Sequence, residues 1–138
     1  MIMGAWNTFS FENDLVYDAF SEAFLCSTLF NSRKHEMTLI EALNIVTSEK
    51  VTNKEYIRAK DYLKIHEYME DFEFAGIVII ALYHNINVPL KDITKAITTL
   101  ETEYHNEREL KKWSDLYSRK KRILEELEYL QKARCERG

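Results

Sequence analysis

FEFAGIVIIALYHNINV, residues 72–88, decides how this chain folds. Between Glu73 and His84 no side chain is charged or strongly polar. A helix apolar on every side must be surrounded, by protein or by lipid. Phe74 to Tyr83 would span only ~15 Å as a helix, against a hydrocarbon core of ~30 Å. The stretch therefore reads as the buried centre of a helical bundle. The expected fold is all-α, a single domain over residues 1–138 with about six helices around this rod.

Composition agrees. Three glycines and one proline in 138 residues are too few for a sheet-rich fold, which needs more turn residues. A chain 46% hydrophobic and 30% charged is ordinary for a folded domain. The net charge of −4 makes it a poor general binder of nucleic acid or anionic membrane. Residues 1–107 carry a net −8 and residues 108–138 a net +4, an asymmetry that pairs the two parts or steers a charged partner. Two cysteines make no disulfide framework, and residues 1–11 show no secretory pattern, so a cytoplasmic location is expected.

Outward from the central rod, helix signals recur. Asn13-Asp14 precedes a 3.6-residue apolar period through Val16, Ala19, Phe20, Ala23 and Phe24, predicting a helix to about residue 30. Thr38…Glu41 and Thr52…Glu55 are capping-box pairs that open helices over 39–48 and 53–68. Tyr56, Ala59, Tyr62 or Leu63, and His66 share a face of the second. Asp71 suits the N-cap of the central helix, and Gly76 marks a close approach by another helix. Pro89 suits the first position of the next helix, 89–105, with Ile93, Ala96, Ile97 and Leu100 facing in. The basic segment 108–138 is helical, with Leu110, Trp113, Tyr117, Leu124, Leu127 and Gln131 recurring at three, four and seven, and with Ser114-Asp115 as a cap that bends it.

Gly4-Ala5-Trp6, followed by Phe11-Glu12-Asn13-Asp14, resembles the opening of a bacterial family known as domain of unknown function 4259. Glu109-Leu110-Lys111-Lys112-Trp113 is similar to a second, shorter motif of that family. Asn7 and Phe9 stand where the family has glycines. The resemblance implies a small, mostly helical bacterial or phage protein and lends no activity. Physically, Trp6 and Phe11 are expected to plug the bundle while Asn13 or Asp14 caps the first helix.

Catalytic chemistry finds little support. His66-Glu67-x-x-Glu70 has Glu where a zinc protease needs its second His, and no histidine has the Glu three residues before it that a di-iron bundle requires. His84 at the end of the central helix reads as a capping group. Cys26 reads as core and Cys135 as exposed. Arg119-Lys120-Lys121-Arg122 fans around the helix instead of forming one stripe, so it reads as a solvated face. The expectation is no catalytic residue, no metal ligand and no cofactor.

The acidic cluster Glu67, Glu70, Asp71 and Glu73 is the expected docking patch for a basic partner protein. The favoured reading is a non-catalytic binding protein, such as an immunity protein that occludes a toxin or a phage protein that blocks a host factor; abundant tyrosine suits an interface. Two alternatives stand beside it. One is a metal-dependent enzyme using Glu12, Asp14 and Asp18. The other is a homo-oligomer built through 108–138, where Lys120 and Gln131 interrupt the heptads.

Overall fold

Every residue from Phe72 to Leu82 is buried, and the helix that carries them forms the centre of an all-α bundle. The computed structural model describes residues 9–11, 16, 19–20, 38–46, 51–65, 72–113 and 115–137. Among them run α1 Leu39–Val46, α2 Asn53–Ile65, α3 Phe72–Tyr83, α4 Leu90–Tyr104, α5 Glu107–Leu110 and α6 Leu116–Arg137. Val16, Ala19 and Phe20 are helical and buried as well. No strand occurs among the described residues, and none of their helices is long and apolar enough to cross a membrane.

The central α3 packs against α2, α4 and α6. The long pair α4 and α6 closes one side, α5 bridges them, and α1 rests on α6. Tyr56, Ala59 and Leu63 turn the inner face of α2 to the core, and Ile93, Ala96, Ile97 and Leu100 do so for α4. Their spacing of three and four residues places each set on one side of its helix.

Local chemistry sets the helix ends. Glu41 Oε1 accepts from Thr38 N–H at 3.0 Å and from Thr38 Oγ1 at 2.9 Å, a capping box at the start of α1. These bonds favour the charged carboxylate and hold Glu41 below its usual range. At the start of α2 the Thr52 hydroxyl donates to the Glu55 carboxylate, without the backbone bonds seen at Thr38. Asp115 opens α6 by accepting Ser118 N–H at 3.0 Å, which explains the bend. Pro89 is the N-cap of α4, one residue ahead of the predicted place.

The end of α3 differs from expectation. Asn85 adopts a left-handed φ of 60°. Its N–H donates to Leu82 O at 3.1 Å, while Ile86 N–H donates to Ala81 O at 3.0 Å. This is a Schellman motif with Asn in the place glycine usually takes. His84 makes no side-chain bond to those carbonyls; its Nε2 is buried without a hydrogen-bond partner, and burial pushes its pKa below the ordinary value.

Gly76 receives a different neighbour from the expected helix. A Cβ there would lie 2.6 Å from the Ser10 carbonyl oxygen and 2.9 Å from Phe11 Cα. The non-helical segment 9–11 crosses α3 at this point, and Phe9, Ser10 and Phe11 are all buried. Glycine suits the site because the approaching group is backbone, which cannot turn aside as a side chain can.

The face of α6 is also corrected. Tyr117 is 81% and Leu124 51% exposed, so both point outward. The inward face is Arg119, Arg122, Ile123, Glu126, Leu127, Leu130 and Ala133. Three charged side chains occupy positions that the apolar period assigned to solvent, because each finds partners inside.

Candidate functional site

Segment 9–11 and helices α4 and α6 meet in a buried polar cluster. Glu103, the last residue but one of α4, points at Arg119 in the first turn of α6. Arg119 Nε and Nη2 donate to Glu103 Oε2 and Oε1 at 2.8 and 2.7 Å, a two-pronged ion pair. Arg119 Nη1 reaches Glu126 Oε1 at 3.3 Å, and Nη2 donates to Ser10 Oγ at 3.1 Å. Ser10 in turn donates its hydroxyl to Glu126 Oε1 at 2.7 Å and its backbone N–H to Oε2 at 2.8 Å. Trp113 Nε1 donates to Glu103 Oε2 at 2.9 Å.

Aromatic faces complete the enclosure. The Arg119 guanidinium lies 4.4 Å from the Trp113 ring centre and 5.3 Å from that of Phe72. Arg122 covers Phe9 at 4.4 Å and pairs with Glu125 at 2.9 Å. One guanidinium is thus shared by two carboxylates. Burial pushes Glu126 up to about 7, although Arg119 and the two Ser10 donors pull it down. Arg119 and Glu126 are completely buried, and Ser10 fills the space between them. The arrangement clamps segment 9–11 to α6, more than a hundred positions away in sequence.

A second polar tie joins α2 to α4. Asp92 Oδ2 accepts from Tyr56 OH and from Lys60 Nζ, both at 2.9 Å. Burial, with the Asp92 hydrogen bond and charge, raises the Tyr56 phenol far above its ordinary pKa.

The expected docking patch is only partly within view. Glu67, Glu70 and Asp71 lie outside the described residues. Glu73 is 6% exposed, so it belongs to the core of the bundle and not to a surface patch. Its place in the first turn of α3 sets it at the positive end of the helix dipole, where negative charge is favourable. Of the opening family-like motif only Phe11 is described, and it is fully buried; Gly4, Ala5, Trp6, Glu12, Asn13 and Asp14 lie outside, as does Asp18. Among the described residues no three His, Cys, Asp or Glu side chains gather in a way that could hold a metal ion.

Two surface features remain. Ile57 and Ile65 on α2 are 50% and 75% exposed, on the side opposite Tyr56, Ala59 and Leu63. A cleft of about 440 Å³ lies where the start of α1, the end of α3 and the last turns of α6 meet, lined by Ile40, Leu82, Asn85, Tyr129 and Lys132 among others. Comparison with protein-family models, curated proteins and solved structures returned no match.

Proposed function

We propose that this protein acts in the cytoplasm by binding another protein, without catalysis, and that the outer face of α2 is part of the contact. The observation that carries the reading is the pair Ile57 and Ile65, half and three-quarters exposed and two helical turns apart. Two β-branched apolar side chains at that spacing lie ~12 Å apart along one helix, a separation that one partner helix or hairpin can cover. Arg58, Asp61 and Lys64 surround them, giving an apolar centre with a charged rim. The Asp61–Lys64 pair at 3.9 Å is well exposed and contributes little to stability, so its residues are available to a partner.

In sequence, Ile65 runs directly into His66 and the acidic residues Glu67, Glu70 and Asp71. A partner with an apolar strip beside basic side chains would satisfy both. A basic toxin or a host factor held in an inactive complex has that chemistry. Affinity capture from the native host tests the reading, with the bait compared against an Ile57→Asp/Ile65→Asp variant and a Glu67→Lys/Glu70→Lys/Asp71→Lys variant of matched thermal stability. One protein should be retained by the wild-type chain and lost from the first variant, with slower association in the second. Retention that ignores both variants would overturn the proposal.

A further inference from the structure

We propose that the outward face of α6 is a self-association surface on which two copies of this chain pair antiparallel about a two-fold axis. The inference does not depend on the partner-binding reading, which concerns α2. Exposed residues Tyr117, Lys121, Leu124, Glu128 and Gln131 follow one another at intervals of four, three, four and three. That alternation keeps five side chains in one straight line on a helix and is the spacing of a coiled-coil seam. It is a different line from the inward face of Arg119, Ile123, Leu127 and Leu130, so α6 carries two faces, one of them uncovered.

The charges on this seam select the occupant. Lys121 and Glu128 are both exposed, and neither forms an ion pair with any described residue, whereas neighbouring Glu125 is engaged by Arg122 at 2.9 Å. They stand seven residues apart, ~10 Å along the axis. A two-fold axis passing between Leu124 and Glu125 sets Lys121 of each copy against Glu128 of the other, twice. It also brings Leu124 against Leu124, and Tyr117 opposite Lys132, where an ammonium can lie over the phenol ring. Parallel pairing in register would oppose Lys121 to Lys121 and Glu128 to Glu128, which is repulsive. The seam is therefore self-complementary in one orientation only. It is narrow and largely polar, so the association is weak and selected by charge more than by area.

Sedimentation velocity from micromolar concentrations to about 1 mM tests this, a range that reads weak dimers. The wild-type chain, monomeric when dilute at 16.4 kDa, should approach twice that mass as concentration rises. Lys121→Glu and Glu128→Lys each create two like-charge contacts and should weaken association roughly tenfold or more. Mixing the two variants restores opposite charges at both contacts, so the mixture should dimerise one-to-one although neither component does alone. Circular dichroism confirms that both exposed-site variants remain folded. A wild-type chain that stays monomeric throughout would overturn the proposal. So would single variants that associate like wild type, or a mixture that fails to pair.

Discussion

Arg119 stands where an aliphatic side chain would ordinarily continue the inner face of α6. Its guanidinium satisfies Glu103 through two prongs, holds Glu126 and Ser10, and lies over Trp113. Removing one partner from such a cluster leaves the others charged and dry, a far larger cost than the net worth of the pair. Arg119→Ala should therefore lower unfolding free energy by about 3–5 kcal/mol in urea titrations. Arg119→Lys should recover little of it, because an ammonium cannot reproduce the planar fork. Glu126 gives a pH signature. Burial raises its folded-state pKa to about 7, above the unfolded value near 4.5. Between those values the native state holds a proton that the unfolded chain has lost. This group's contribution to stability is then full below about 4.5, declines as pH rises towards 7, and is flat beyond. The difference in unfolding free energy between wild type and Glu126→Gln, followed from pH 4.5 to 8, should fall through that window and then level. A difference independent of pH would mean that Glu126 titrates as an ordinary glutamate.

Among the elements, what the sequence disclosed depended on whether the signal was local. The apolar run of α3, the capping box of Thr38, the pairing of Thr52 with Glu55, and the inward residues Tyr56, Ala59 and Leu63 of α2 and Ile93, Ala96, Ile97 and Leu100 of α4 each rest on residues within a turn or two, and were legible; His66, expected on the same face of α2, lies outside the described residues. The orientation of α6 was not. Arg119, Arg122 and Glu126 share a face with Ile123, Leu127 and Leu130, a phase coincidence visible in the sequence. Charge argued for solvent, however, and the partners that reverse the argument, Glu103 and Ser10, lie 16 and 109 residues away. Gly76 announced a close contact but could not say that a non-helical segment would make it. The termination of α3 shows the same limit: His84 looked like the cap, whereas Asn85 supplies the left-handed residue. Asn85→Ala should cost about 1 kcal/mol, since an alanine Cβ resists positive φ, while Asn85→Gly should be neutral or slightly stabilising. Thermal melts of the two variants separate this from a capping role for His84, which would leave both alike.

For the whole molecule, the charge asymmetry acquires a structural meaning. The basic C-terminal part reaches back into the acidic remainder through Arg119 and Glu103, at 2.7 Å and buried. Closure also needs the start of the chain. Phe9 and Phe11 stack with ring centres 5.3 Å apart, Ser10 supplies two donors to Glu126, and the backbone of both Ser10 and Phe11 lies against Gly76. Segment 9–11 is thus a wedge between α3 and α6, and the bundle is incomplete without it. A small test is Gly76→Ala, which should destabilise by about 1–3 kcal/mol because the intruding methyl meets backbone that cannot step aside. A larger test is deletion of residues 2–11. Loss of two buried phenylalanines costs about 3–5 kcal/mol each when the space cannot collapse, against a total stability of about 5–15 kcal/mol for a domain of this class. The truncated chain should keep most of its far-ultraviolet helical signal, since α3, α4 and α6 do not draw their helicity from the wedge. It should lose near-ultraviolet aromatic dichroism, bind a hydrophobic dye and melt without a sharp transition, as a collapsed bundle with unfixed packing does. A truncated chain that still unfolds cooperatively, within about 1 kcal/mol of wild type, would show that α3 and α6 close on each other unaided and that the Arg119 cluster is complete without Ser10.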